Sequence, residues 1–279
     1  MTSTDNDHDG ILVAQDGSAT ARSAAGVAIQ IAKAQDQSIH GVYVVDETLA
    51  LDSYADYHQE LDSQREPVSR AQLLAWLEAQ GEVALQLLET RCQAAGVSVS
   101  TELLAGGVPQ MILREAEGAR LLAIGRRGHS HQGDTQHLGH SFRTIAHRTR
   151  LPIIVGGDEE QTVRRLLLAY NGNEHARTAL AWASSLQRSL PVDVAVVAVQ
   201  EGEQQSAAEW LAEAQDQLGP CQCLRRRGQA AEEIVAAARE SGAELIVMGR
   251  YHHAALLNWL TGSTVDRVLR GTGLPVLMA

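Results

Sequence analysis

Ile11-Leu12-Val13-Ala14-Gln15-Asp16-Gly17-Ser18 reads as a short buried strand that runs into a carboxylate, a glycine and a helix-capping serine. The same phrase returns as Leu166-Leu167-Leu168-Ala169-Tyr170-Asn171-Gly172-Asn173. In that register Ala21-Arg22-Ser23-Ala24 falls on Ala176-Arg177-Thr178-Ala179, and Val44 and Asp46 fall on Val199 and Glu201. Further along, Leu121-Leu122-Ala123-Ile124-Gly125-Arg126-Arg127 matches Leu245-Ile246-Val247-Met248-Gly249-Arg250-Tyr251. Leu151-Pro152-Ile153-Ile154-Val155 then matches Leu274-Pro275-Val276-Leu277-Met278. A two-fold repeat of this length is domain duplication, not a solenoid.

Each copy alternates short β-branched runs with stretches of helical periodicity. Ile11–Val13, Val42–Val45, Val97–Leu104, Leu121–Ile124 and Ile153–Val155 read as buried strands. Ala21–Ala34, Leu73–Ala95 and Val108–Glu117 repeat apolar residues at helical spacing. This β-α alternation predicts an α/β fold, a parallel sheet with helices on both faces in each copy. We place a loose tail at 1–9, a first domain at 10–156 and a second at 163–279, joined near Gly156-Gly157-Asp158-Glu159-Glu160. The first copy is longer by about 30 residues, an insertion near 48–76 expected to form a loop and a helix over the ligand cleft or the domain seam.

Composition narrows the class of partner. The 279 residues are 44% apolar, enough for packed cores, and with a single Phe those cores must be aliphatic. A formal charge of −11 disfavours nucleic acid, which needs a basic surface. No stretch approaches the roughly 20 apolar residues of a membrane helix, and the acidic start lacks the pattern of a signal peptide. Cys92, Cys221 and Cys223 give no disulfide framework and read as reduced thiols, so the expected location is the cytoplasm.

In an open parallel sheet, ligands bind beyond the carboxyl ends of the strands. Asp16 stands there, able to accept hydrogen bonds from an adenine amino group or a ribose hydroxyl, or simply to shape the turn before the Ser18 cap. After the fourth strand Gly125-Arg126-Arg127-Gly128 leads to Gly139-His140-Ser141 at the start of the last helix. The second copy offers Gly249-Arg250-Tyr251-His252 and then Gly262-Ser263-Thr264. Glycine lets the backbone approach a phosphate, and a helix N-terminus supplies unpaired N–H groups and the positive end of a dipole.

On these motifs the chain resembles the universal stress protein family over nearly its whole length, in two tandem copies. The resemblance implies two Rossmann-like, adenine nucleotide alpha hydrolase-like domains with strand order 3-2-1-4-5. It also implies pairing through the last strand, here an intramolecular pseudo-dimer, with a homodimer conceivable. The implied role is that of a stress-response module binding ATP, with or without Mg2+, or another adenine nucleotide, turning it over very slowly at most. Nucleotide-binding members of the family carry an Asp after the first strand and a Gly-x2-Gly-x9-Gly-Ser/Thr loop.

By that pattern the first copy keeps Asp16, Val44 on the adenine side, Gly125, Gly128 and Gly139. It departs in having ten residues between Gly128 and Gly139, and in His140 ahead of Ser141. The second copy keeps Val199, Gly249, Gly262, Ser263 and Thr264, but has Asn171 for the Asp and His252 for the second glycine. A side chain at that position is costly if the backbone there needs a positive φ. The alternative to nucleotide binding is a scaffold whose degenerate sites are empty.

Histidines supply two further readings. His129, His131, His137 and His140, with Asp134 among them, could bind zinc or nickel or could line a polar loop. His137-Leu138-Gly139-His140 spells a nucleotidyl-transferase signature, which would make an adenylyl-transfer enzyme. In such enzymes the signature follows the first strand; here it opens the last helix, and the second copy has no histidine pair there.

Overall fold

Side-chain caps set where the helices start. In the computed structural model, which describes residues 10–46, 69–128, 138–202, 206–250 and 263–279, Ser18 Oγ accepts from Ala21 N at 3.1 Å and opens α1 (Ala19–Gln35). Asn173 does the same for α5 (Glu174–Ser189), its side chain accepting from Ala176 N at 2.7 Å. Ser69 and Gln72 form a reciprocal capping box at the head of α2 (Arg70–Ala95), which Gly96 ends in the left-handed conformation.

The first half runs β1 (Ile11–Gln15), α1, β2 (Ile39–Val45), α2, β3 (Val99–Ala105), α3 (Val108–Glu115), β4 (Leu121–Ile124), α4 (His140–Arg148) and β5 (Ile153–Val155). The second runs β6 (Arg165–Ala169), α5, β7 (Asp193–Gln200), α6 (Ala207–Leu218), β8 (Gln222–Arg227), α7 (Ala230–Ser241), β9 (Leu245–Met248), α8 (Thr264–Gly271) and β10 (Val276–Met278). The strands form one ten-stranded sheet of order β3-β2-β1-β4-β5-β10-β9-β6-β7-β8. Each half is parallel in the order 3-2-1-4-5. The halves meet through a single antiparallel ladder, Ile153↔Met278, Ile154↔Leu277 and Val155↔Val276.

All six of those side chains are fully buried, each worth roughly 1.5–3 kcal/mol of apolar transfer. One aliphatic core lies under α1, α2, α5 and α6, and another under α3, α4, α7 and α8, so each face of the sheet carries a core spanning both halves. The central strands are apolar on both faces for this reason. β3 corrects the reading of a buried strand at Val97–Leu104. It is an edge strand, and most of its residues are half-buried or exposed because only one neighbour and sparse cover reach it.

The insertion near 48–76 lies largely outside the described residues. Residues 70–76 do not form a separate helix; they are the first turns of α2, continuous with the helix already expected at Leu73–Ala95. The Gly156-Gly157 junction is close-packed. A Cβ at Gly156 would fall 1.7 Å from Thr20 O, and one at Gly157 2.4 Å from Gly273 O. Gly157 N also donates to Ser23 Oγ, and Asp158 N to Gly273 O.

Two arginines pin the seam. Arg126, immediately after β4, donates through Nε to Gly156 O (2.6 Å), through Nη1 to Leu269 O and Thr272 O (2.7 and 2.6 Å), and through Nη2 to Leu274 O (2.5 Å). It thereby closes the carboxyl end of α8 in the other half, where a cation suits the helix dipole. Arg250 repeats the gesture on α4, donating to Ala146 O (3.4 Å), Thr149 O (3.0 Å) and Leu151 O (2.9 Å). Burial pulls both guanidinium groups down to about 10, which leaves them charged at neutral pH.

Candidate functional site

At the carboxyl end of β1 the chain must reverse within a few residues. Gly17 takes φ +76, Asp16 Oδ1 accepts from Ser18 N at 2.8 Å, and Ser18 caps α1. Asp16 is half-buried, and its other oxygen, Oδ2, lies 3.8 Å from where a Cβ on Gly128 would stand. Its charge reaches Tyr43, whose phenol is pushed up first by burial and then by Asp16.

The turn after β4 is tied to both neighbours. Thr20 Oγ1 donates to Arg127 O at 3.1 Å, and Gly139 N donates to Arg126 O at 2.9 Å. Asp16, Gly128 and the start of α4 therefore converge beyond the carboxyl ends of β1 and β4. Gly139 stands at the N-cap of α4, and among the described residues no side chain caps that end. The N–H groups of the first turn have no intrahelical acceptor, so this end is suited to an anion. His140 is exposed and Ser141 half-buried in that turn, and Val44 is half-buried near the end of β2.

Gly125 makes room for helix packing. A Cβ there would meet Thr20 Oγ1 at 2.8 Å and Ala21 N at 2.9 Å, so its absence lets α1 sit against β4. Gly249 plays the same part, with His175 C and Ala176 N at 2.6 and 2.7 Å. Gly128 has no positive φ. The backbone argument against a side chain at the matching position, His252, thus has no support from the first half.

The second half holds its equivalents differently. Asn171 is exposed, and its Oδ1 accepts from Asn173 N at a long 3.4 Å. Gly172 (φ +70) faces the Trp210 indole, and a Cβ on it would fall 2.6 Å from Cδ1. Val199 is buried where Val44 is half-buried. Ser263 Oγ accepts from Asp266 N at 3.1 Å and so caps α8, with Thr264 as its first residue. Glu201 Oε1 accepts from Ala230 N at 2.8 Å at the head of α7.

His252 and Gly262, and from the histidine cluster His129, His131, Asp134 and His137, lie outside the described residues. Cys92, Cys221 and Cys223 are free thiols; burial pushes Cys92 up to about 11, and burial and then Cys223 push Cys221 up to about 11, which leaves little of either thiol as thiolate. Among the described residues no helix is long and apolar enough to cross a membrane. Sequence reasoning passed over Thr20 and also Arg22, whose Nη1 donates to Gly17 O at 2.6 Å. It also passed over Trp210 and the seam arginines. The Gly-Arg pair at matching places in both copies was a visible signal for the arginines.

Comparison with known proteins agrees with this architecture. The family model described as the universal stress protein family matches residues 8–155 and again 162–279. A universal stress protein of Synechocystis is 26% identical over 170 residues, a match spanning 56% of this chain and 56% of that relative's length. A universal stress protein structure from Archaeoglobus fulgidus DSM 4304 superposes with a TM-score of 0.74 at 19% identity, covering 98% of each chain. A putative universal stress protein from Pseudomonas aeruginosa UCBPP-PA14 gives 0.68 at 17% identity over 98% of this chain and 93% of its own. These two likenesses concern the fold.

Proposed function

The chain belongs to the universal stress protein family, and from that premise we propose that it is a stress-response binding module whose first half takes ATP or a related adenine nucleotide. The observation that carries this is the convergence of the Asp16 carboxylate, Gly128 and the uncapped head of α4. In this reading Asp16 accepts from the ribose or the adenine amino group, and Val44 lies against the base. The phosphates rest near the backbone at Gly128 and at the Gly139–Ser141 start of α4, where N–H groups and the helix dipole attract negative charge. A magnesium ion, if present, would ride on the phosphates. The protein acts in the cytoplasm by binding rather than by rapid turnover, since a cradle of backbone donors holds ground-state charge without supplying a base or nucleophile.

A second reading applies to the second half. The Trp210 indole against Gly172 and the buried Val199 favour a structural domain there, leaving Asn171, Gly249, Ser263 and Thr264 to shape turns and caps. Mass spectrometry of the full chain purified without added nucleotide, followed by ATP titration in a calorimeter, tests the proposal. About one adenine nucleotide per chain is expected. A chain that arrives empty and takes up no ATP would be a scaffold in both halves.

A further inference from the structure

The first half holds a second polar cluster, toward the amino end of β2 and away from the nucleotide cleft. His40 lies near the start of β2 with its ring buried, and Glu115, also buried, is the last residue of α3. Glu102 on β3 stands half-exposed beside them. His40 Nε2 is 3.9 Å from Glu102 Oε2 and 3.9 Å from Glu115 Oε2. One ligating atom from each of the three residues lies within 4.8 Å of the others.

The surrounding groups orient these atoms. Ser100 Oγ is 2.9 Å from His40 Nδ1, which leaves Nε2 directed at the carboxylates. Arg114 donates through Nε and Nη2 to Glu115 Oε1 at 2.9 and 2.8 Å, so that Oε2 is the oxygen presented to the histidine. Metal-binding histidines and carboxylates are held in this way by partners on their other atom. Four-coordinate zinc, with bonds of about 2.0–2.2 Å, sets its ligands about 3.4 Å apart. The two histidine–carboxylate distances would need to close by about half an ångström, and the two carboxylate oxygens, within 4.8 Å of each other, by at most about 1.4 Å.

The duplicated fold supplies an internal control. Strand register places Ala195 of β7 where His40 stands and Leu224 of β8 where Glu102 stands. Counting back from the matching glycines Gly118 and Gly242 puts Arg239 where Glu115 stands. The second half builds the same strands and helix without any of the three. The fold therefore does not require a buried imidazole and a buried carboxylate at this place, and burying both costs free energy that some other role must justify.

We propose that His40, Glu102 and Glu115 form a binding site for a divalent cation of the zinc type, with the exposed side of Glu102 leaving a fourth position to water. Zinc accepts imidazole nitrogen and carboxylate oxygen as ligands. A divalent cation held there would neutralise charge on both carboxylates at once.

Zinc titration of the full chain in a calorimeter, with cobalt(II) absorption as the coordination readout, tests this. Other histidines and thiols can also take zinc, so two backgrounds are needed: Cys221→Ser with Cys223→Ser, and His129→Ala with His131→Ala and His137→Ala. The site predicts one zinc equivalent that persists in both backgrounds and is lost in His40→Ala. Glu102→Gln, half-exposed and so tolerant of change, should weaken that equivalent by about tenfold or more, since even outer-shell changes at metal sites cost about 10- to 100-fold. It also gives the answer should His40→Ala fail to fold. The cobalt form should lack thiolate charge-transfer absorption. Absence of zinc binding, or an equivalent that survives Glu102→Gln unweakened and disappears in the loop or cysteine background, would overturn the proposal.

Discussion

The two halves of this chain share one topology and differ at the carboxyl ends of their strands. In the first half the Asp16 carboxylate faces Gly128, and α4 begins without a side-chain cap. In the second, the indole of Trp210 lies on Gly172, an amide replaces the carboxylate, and Ser263 caps α8. Duplication keeps what the core needs, because strand and helix packing is set by aliphatic side chains common to both copies. The strand ends carry little of that packing and are free to diverge. The seam shows the same contrast on a smaller scale: Arg126 donates to carbonyls of the seam at 2.5–2.7 Å, and Arg250 donates to Ala146 O, Thr149 O and Leu151 O at a longer 2.9–3.4 Å.

The seam gives the largest effect with which to press this comparison. Arg126→Met should destabilise the chain by about 3–5 kcal/mol, because it strips several charge-assisted bonds from buried carbonyls at once. Arg250→Met, which loses longer bonds to the carbonyls at the end of α4, should cost about 1–3 kcal/mol. Urea denaturation of both variants measures the difference. Equal losses would mean that the seam is energetically symmetric despite its geometry.

The next test concerns the clefts. Asp16→Ala should weaken ATP binding by about ten- to a hundredfold, the loss of one charge-assisted hydrogen bond. Its stability should fall by about 0.5–1.5 kcal/mol, since Ser18 N loses one acceptor at a half-buried turn. Asn171→Ala, in the matching place, should leave ATP affinity unchanged. Calorimetric titration separates these outcomes, and a loss of binding in Asn171→Ala would move the occupied site to the second half.

Gly139→Val sharpens the same point. A Cβ at Gly139 would find only ordinary contacts, 3.5 Å from Arg126 O and 3.7 Å from Gly128 N, so the fold should persist. Phosphate approach to the head of α4 would be obstructed and ATP affinity should fall at least tenfold, while AMP or adenosine should be affected less. His140→Ala, on an exposed side chain of the same turn, should change neither affinity nor the slow turnover expected.

The smallest effect is the most symmetric. Ser18→Ala and Ser263→Ala each remove a helix cap and should each cost about 1 kcal/mol, read as a shift in the denaturation midpoint. Neither should alter nucleotide affinity by more than about twofold. A large loss of affinity in Ser263→Ala would show that α8 also meets a ligand.

Much of the fold was legible because periodicity and capping act over a few residues. The repeat of Ile11–Ser18 at Leu166–Asn173, the alternation of strands and helices, and the glycine-serine turns needed no knowledge of distant contacts. The family resemblance then supplied the strand order, and the sheet bears it out, including the pairing of the last strands. The edge character of β3 was not legible, because exposure depends on what packs against a strand and not on its own composition. Residues 70–76 merged into α2 for a similar reason: the capping box at Ser69 and Gln72 is local, but its helical context lies downstream.

At the candidate site the sequence marked Asp16, Gly128, Gly139 and the turn that opens α4, since chain reversal and helix starts demand particular residue types. It did not show that Gly125 and Gly249 also make room for packing, because their close neighbours are helices more than 70 residues away in the chain. It was silent on Arg126 and Arg250, because an arginine reads as a surface charge until carbonyls from another domain surround it. The cluster of His40, Glu102 and Glu115 was equally hidden, assembled from two strands and a helix. By itself the sequence determined the duplication, the fold class and the places where a ligand could meet glycine and helix ends. Only the tertiary structure decided which polar groups face each other, because directed hydrogen bonds and ligand sets are made between segments that periodicity cannot bring together.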